Sequence, residues 1–232
     1  MPENREILSE ELQMKLEHLK RYISCLGSLA VGFSGGVDSS LLMMVNLEGA
    51  RVLVIGGGEE GRKKVEILSL FGAKITLIAT DAQEEAVRLA DRYLKREFED
   101  QDLQAEEYAL VVAATDDRLL NEQIHLLACK RKIPVNVVDD VEFCTFIFPA
   151  IIKEKNVVCS VSSGGKSPYV AQYVKSLIRR SLPCGIGEIN DKMGDFRSYA
   201  KLEIKETAAR RAFLRKKFDE LINGENPENT IF

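Results

Sequence analysis

Glycines 56, 58 and 61 close the run Arg51-Val-Leu-Val-Ile-Gly-Gly-Gly-Glu-Glu-Gly61 in the spacing G-x-G-x-x-G, and a helix-like segment, Arg62 to Phe71, follows. That arrangement suits a diphosphate. Gly56 permits a tight turn out of a strand, Gly58 lets the backbone approach a pyrophosphate with no Cβ in the way, and Gly61 lets the helix pack closely on the sheet. The phosphates would lie on the unpaired N–H groups of the helix start, where the dipole favours negative charge. Gly56, Gly57, Gly58, Glu59, Glu60 and Gly61 form the candidate dinucleotide-binding set. A second β-rich run, Lys74 to Thr80, ends at Asp81. An acid about 20 residues past the last glycine is where a ribose-binding carboxylate is expected. Thr80 and Asp81 join the set on that ground, although an Asp there could equally cap a helix starting near Gln83.

Further along, Thr115 and Asp116 fall where the second half of such a cofactor would lie, and Thr115-Asp-Asp117 before Leu119 is also a good helix start. Asp139 and Asp140 end another apolar run. Ser162-Ser-Gly-Gly-Lys166 is a glycine turn before a helix that has Pro168 at an early position. Backbone N–H groups of such a turn can hold carboxylates, and Lys166 adds charge.

The elements that must position these residues alternate from about Leu47 to Pro149. Strands are expected at Val52–Ile55, Lys74–Ile78, Ala109–Ala113 and Val135–Val138, and helices at Arg62–Leu70, Glu84–Arg92 and Leu119–Arg131, with Lys95–Phe98 as a short edge segment. Alternation of this kind implies right-handed βαβ crossovers and a mostly parallel sheet covered on both faces. Ligands then bind outside the carboxyl ends of the strands. Those ends carry Gly56–Gly58, Thr80–Asp81, Ala114–Asp117 and Asp139–Asp140, so four clusters converge on one edge. Past Pro149 the texture changes. Ile151–Ile152 and Val157–Val161 look like strands, Pro168 to Leu182 like a helix, and from Ile186 the chain is mostly helical and rich in Arg and Lys, including Arg179, Arg180, Arg210 and Arg211.

Bulk properties restrict the class. A chain of 232 residues with 45% hydrophobic and 29% charged residues can bury a sizeable core. The net charge of −4 gives no reason to expect nucleic acid as a partner. No apolar run reaches the ~18 residues of a membrane span, and the polar start Met1-Pro-Glu-Asn-Arg-Glu lacks a signal peptide's pattern, so the cytoplasm is the expected compartment. Five scattered cysteines without C-x-x-C suit reduced thiols rather than a disulfide frame. His18 and His125 pair with nothing at metal-ligand spacing, so no metal site is expected, and His125 reads as an ordinary helix residue.

Several segments in order resemble the precorrin-2 dehydrogenase module of siroheme synthases. They are Val52-Leu-Val-Ile-Gly-Gly-Gly-Glu59, Leu110-Val-Val-Ala-Ala-Thr-Asp-Asp117 with Asn121, Asn136-Val-Val-Asp139, Phe146-Ile-Phe-Pro-Ala-Ile151, Ser162-Ser-Gly-Gly-Lys-Ser-Pro168 and the late Arg210-Arg-Ala-Phe213. The resemblance runs from about Leu47 to Leu221. It implies an α/β fold: a Rossmann-type parallel sheet domain (residues 46–149), a dimerisation segment (150–183) and a small helical domain (184–232). It implies NAD as cofactor, precorrin-2 as substrate, oxidation to sirohydrochlorin and a homodimer. Some members of that family also insert Fe2+ into the product. Asp139 resembles the family's catalytic aspartate and is assigned as general base. Ser163, Gly164, Gly165 and Lys166 are assigned to the substrate's carboxylates. Two departures stand out: Glu60 and Gly61 replace the usual hydrophobic residue and Ala, placing an extra carboxylate near the diphosphate, and Thr80 replaces Pro.

Residues 1–45 form an extension. Leu12, Leu16, Leu19 and Ile23 recur at helical spacing within Glu10–Ser24, and Ser34-Gly-Gly-Val-Asp-Ser-Ser40 resembles the PP-loop of N-type ATP pyrophosphatases. Only the start of that family is present, which implies a truncated remnant without ATP-dependent catalysis. Two other readings of the chain stay open at this point: a non-catalytic module that binds NAD or a tetrapyrrole, and an ATP-hydrolysing protein dependent on Asp38.

Overall fold

A computed structural model describes residues 45–224. The expectations for the Glu10–Ser24 helix and the Ser34–Ser40 turn lie outside the described residues. The chain divides into two compact units between Ile147 and Phe148.

In the first unit, five strands form one parallel sheet: β1 (Arg51–Gly57), β2 (Lys74–Ala82), β3 (Arg92–Leu94), β4 (Leu110–Ala113) and β5 (Val135–Val137). Their spatial order is β3-β2-β1-β4-β5. The chain therefore builds outward from β1 to β3 and then returns to the other side of β1. That reversal creates a crevice at the carboxyl ends of β1 and β4, the place where open α/β sheets take their ligands. Helices α1 (Glu59–Ser69), α2 (Glu84–Leu89), α3 (Asp102–Ala105) and α4 (Arg118–Lys130) make the connections. Val52–Ile55 and all of β4 are buried, the near-continuous apolar pattern of strands covered on both faces. Val65 and Leu68 of α1 and Ile124 and Ala128 of α4 supply the helical side of the core.

Two expectations for the sheet edge are corrected. Helix α2 stops at Leu89 rather than Arg92, and Arg92–Leu94, not Lys95–Phe98, pairs with Thr76–Ile78 of β2. The reason is Asp91. Its carboxylate accepts from the Ile75 N–H at 2.9 Å and from Lys74 Nζ at 3.0 Å, and so pulls the chain onto the sheet one residue before the strand begins. Phe98 instead packs against the core.

In the second unit, β6 (Ala150–Glu154) and β7 (Val157–Val161) form an antiparallel hairpin around Lys155, whose φ is 50°. Helix α5 (Pro168–Ser181) packs on both strands, and α6 (Ile186–Glu203) packs against α7 (Thr207–Gly224). Gly187 approaches the Glu154 backbone so closely that a Cβ would lie 2.9 Å from its carbonyl oxygen, and its N–H donates to Glu154 Oε1.

The loop between β3 and α3 is held by Asp102, a buried carboxylate. It accepts from Arg96 Nη1 and from the Glu99 N–H, each at 2.8 Å. The Arg96 guanidinium, with help from that N–H, holds the Asp102 carboxyl below its ordinary range. A depressed folded value stabilises the fold above the unfolded aspartate pKa of about 3.9, and this contribution is lost as pH falls through the folded value. Asp102→Asn should therefore cost about 2 kcal/mol in urea unfolding at neutral pH. The gap from the parent chain should begin to close near pH ~4 and vanish in stronger acid. An equal gap at both ends of that range would show that the charge is not what matters.

Candidate nucleotide site at the carboxyl edge of the sheet

The glycine turn is built by close backbone approach. Gly56 has φ 109°, in the region that L side chains avoid, and a Cβ there would lie 2.1 Å from the Ala114 carbonyl oxygen. A Cβ on Gly57 would lie 2.2 Å from the Asp81 carbonyl oxygen, and one on Gly61 would lie 2.0 Å from that of Gly56. These three glycines draw the ends of β1, β2 and β4 and the first turn of α1 together. Gly58 differs. It occupies the N-cap position of α1 at an ordinary φ of −69°, and a Cβ there would meet nothing within 4 Å. Its open face borders the first N–H groups of an 11-residue helix, which have no partner inside the helix. A phosphate fits such a place.

Helix α1 begins at Glu59, three residues earlier than its apolar periodicity suggests, so Glu59, Glu60 and Gly61 are its first turn. The carboxylates of that turn are engaged by cations on the same helix. Glu59 accepts from Arg62 Nη2 at 2.8 Å and Nε at 3.1 Å and from Gln83 Nε2 at 3.2 Å. Arg62, ahead of Gln83, holds its carboxyl down at about 2. Glu60, the departure noted in the sequence, pairs with Lys63 Nζ at 2.6 Å on the exposed surface. Arg62 also meets Glu66 and, at 3.6 Å, Glu85.

Thr80 and Asp81 are exposed residues within β2, which runs to Ala82. The helix cap is Gln83, and the capping role considered for Asp81 does not hold. At the end of β4, Thr115 is locked to Asn121, a buried residue of α4. Its hydroxyl donates to Asn121 Oδ1 at 2.7 Å, its N–H donates to the same oxygen at 3.2 Å, and Asn121 Nδ2 donates back to the Thr115 carbonyl at 2.8 Å. The cap of α4 is Asp117, which accepts from the N–H groups of Leu119 (2.9 Å) and Leu120 (3.2 Å) and leaves Asp116 exposed.

Asp139 is exposed, two residues beyond β5, with φ 60°. Asp140 is half-buried, pairs with Arg118 Nη2 at 3.2 Å and opens a 3-10 turn at Val141–Phe143. Lys64 of α1 was not foreseen as a site residue. It is half-buried, and burial pushes its ammonium below the ordinary lysine value, while the charges of Glu60 and Asp139 favour its protonated form. In the sequence it is one of two adjacent lysines on a helix, with nothing to separate it from a solvated face. Among the described residues no three His, Cys, Asp or Glu side chains gather as a metal-binding group. His125 is half-buried on α4 and tilts against Phe143, with ring centroids 5.2 Å apart.

The structure thus gathers Gly56–Gly61, Thr80–Asp81, Thr115–Asp116 and Asp139 on one edge of one sheet. Ser163, Gly164, Gly165 and Lys166 belong to the second unit. There Gly164 and Gly165 have φ 63° and 77°, and the Ser163 hydroxyl accepts from the Ser167 N–H at 3.1 Å. Ser167 caps α5 through the Val170 N–H, and Lys166 is exposed.

A parallel sheet with this strand order, a glycine turn and a helix start at its switch point define a Rossmann-type nucleotide-binding protein. Residues 43–150 match the family model described as putative NAD(P)-binding. The chain is a homologue of siroheme synthases over about three quarters of its length. It is 39% identical to the siroheme synthase of Methylococcus capsulatus over 177 residues, which is 75% of this chain and 37% of that protein. It is 33% identical to that of Ruthia magnifica over 186 residues, 78% of this chain and 39% of the relative. The chain therefore spans less than two fifths of the length of these relatives. A solved structure titled SirC, precorrin-2 dehydrogenase, shares the fold, with a TM-score of 0.62 and 20% identity over 75% of this chain and 87% of that one.

The glycines separate packing from ligand contact. Gly58→Ala adds a methyl group to open space and should cost about 1 kcal/mol or less in stability. It should nonetheless weaken NAD+ binding by roughly tenfold or more in a calorimetric titration, because the methyl group occupies the phosphate's approach. Gly56→Ala should instead destabilise the fold by more than about 2 kcal/mol. Unchanged affinity in Gly58→Ala would place the phosphates elsewhere.

Proposed function

We propose that this chain oxidises precorrin-2 to sirohydrochlorin, with NAD+ as the acceptor. Loss of two hydrogens from the macrocycle separates into a hydride and a proton. The nicotinamide, when bound, supplies the hydride acceptor. The protein's tasks are to hold the two reactants in register and to receive the proton. The observation that carries the reading is Asp139, a carboxylate on the same sheet edge as the glycine turn. We assign it as the general base, since it is an exposed acceptor at a fixed backbone position. Gly56, Gly57 and Gly61 shape the turn, Gly58 and the N–H groups of Glu59 to Gly61 receive the diphosphate, and Asp81 with Thr80 takes the adenosine ribose. Thr115 and Asp116 border the second half of the cofactor. The acidic surroundings of Asp81, with Glu84 and Glu85 exposed beside it, favour NAD+ over NADP+.

Ser163, Gly164, Gly165 and Lys166 are proposed to hold carboxylates of the tetrapyrrole. Gly164 and Gly165 turn the chain in the left-handed conformation, with the Gly164 N–H donating to Ser162 Oγ at 3.1 Å, and the exposed Lys166 supplies a cation. Insertion of Fe2+ into the product is a second activity that kinship with siroheme synthases supports, with Asp139 again available to take protons. We place the protein in the cytoplasm; among the described residues no helix is long and apolar enough to cross a membrane.

The test is anaerobic turnover of enzymatically made precorrin-2 with NAD+, NADP+ and, in a second stage, Fe2+, followed at 340 nm and in the visible spectrum. NADH should form, and Asp139→Ala should lower kcat by roughly a hundredfold or more while NAD+ binding is kept. Full rate in that variant would remove Asp139 from the chemistry. Binding of both ligands without turnover by the parent chain would make it a binding module.

A homodimer is proposed as well. Tyr169, Tyr173 and Leu177 recur every fourth residue on α5 and are exposed, Tyr169 at 86%, with Val170 beside them. A continuous apolar stripe on a surface helix is suited to a partner surface. Tyr173→Lys should shift the sedimentation coefficient to that of a monomer without unfolding the chain. A monomeric parent chain at micromolar concentration would end this assignment.

A further inference from the structure

The loop that carries Asp139 has a fastening that the dinucleotide reading does not use. After β5 the chain passes Val138 and Asp139, makes the 3-10 turn at Val141–Phe143 and runs back beside the strand it has just left. Thr145 lies against Val135. Its N–H donates to the Val135 carbonyl at 2.8 Å, and its hydroxyl accepts from the Val135 N–H at 2.8 Å. One step nearer the apex, the thiol of Cys144 stands where the next rung of a β-ladder would be. It accepts from the Val137 N–H at 3.2 Å and has the Val137 carbonyl at 3.1 Å as an acceptor. The Asp140 carbonyl is 3.2 Å away on the far limb of the loop, and Asn136 Nδ2 donates to the same sulfur at 3.4 Å. The sulfur thus ties the residues on both sides of Asp139, which itself sits at φ 60°.

We propose that Cys144 is a positioning residue for Asp139: its side chain closes the stem of the Val138–Phe143 loop and fixes where the carboxylate stands at the sheet edge. This rests on the proposed role of Asp139. The role requires the protonated thiol, because only S–H can donate to the Val137 or Asp140 carbonyl. Burial, reinforced by the Asp140 carboxylate, pushes the Cys144 thiol up, so it stays protonated at neutral pH. A hydroxyl can make the same donor and acceptor contacts, whereas a methyl group can make neither.

The experiment compares the parent chain of 232 residues with Cys144→Ser, Cys144→Ala and, should alanine fold poorly, Cys144→Val. Amide hydrogen exchange by mass spectrometry is read first, because it does not depend on turnover. In Cys144→Ala the segment 137–143 should exchange roughly tenfold faster, with β1 and α1 unchanged. In the precorrin-2 assay, kcat should fall roughly tenfold or more while KM for NAD+ stays within twofold, and Cys144→Ser should restore most of the rate. Unchanged exchange in 137–143 overturns the proposal, as does a loosened loop with the parent kcat. A parent chain without turnover defeats the dehydrogenase reading instead, and the exchange data then decide whether Cys144 fastens the loop.

Discussion

The approach of the Gly56 backbone to the Ala114 carbonyl governs this structure. The two residues lie at the carboxyl ends of the strands that flank the switch point, and the space between them excludes even one methyl group. Gly61 stands against Gly56 by the same token, so the first turn of α1 is seated on the end of β1. With three segments this close, the start of α1 is held at the crevice. Van der Waals exclusion between backbone atoms sets the geometry of the candidate anion site, whose polar requirement is that the helix start stays open.

The remaining polar groups near the crevice are held in place by one another. Asn121 uses both ends of its amide on Thr115, so the strand that forms the far wall is pinned to a buried helix residue and not to solvent. Buried polar groups that are fully matched rigidify a structure, whereas partly matched ones destabilise it. Arg62 and Lys63 draw the Glu59 and Glu60 carboxylates onto α1's own surface. The charges of the first turn are thereby offset locally. The extra acid at position 60 departs from the related pattern without removing the helix start as a place for an anion.

The sequence was most legible where sterics dictate residue type. The G-x-G-x-x-G spacing, the alternation of apolar runs with helical segments and the polar clusters after each strand located the parallel sheet and the edge on which the candidate residues gather. Gly57 was legible as part of the turn, but not for what it does, which is to admit the Asp81–Ala82 backbone. Side chains that act across long sequence distances were not legible. The capture of the Ile75 N–H by Asp91, which ends α2 early and moves the edge strand, involves partners 16 residues apart. Lys64 looked like any surface lysine because its burial comes from tertiary packing. Asn121 was visible as part of a motif, yet its lock on Thr115 appears only when the end of β4 and the first turn of α4 are seen together.

The two units meet different electrostatic demands. In the first, the helix start offers neutral N–H groups, and the Glu59 and Glu60 carboxylates of that turn are paired with Arg62 and Lys63. In the second, the glycine turn before α5 includes Lys166, and Arg179 and Arg180 lie in the last turn of that helix, beside its terminal carbonyls. A dinucleotide carries two phosphate charges in a compact diphosphate, which a single helix start can match. A substrate with carboxylates distributed around a macrocycle calls for dispersed cations instead. The difference in charge between the two turns is in keeping with the two anions proposed for them.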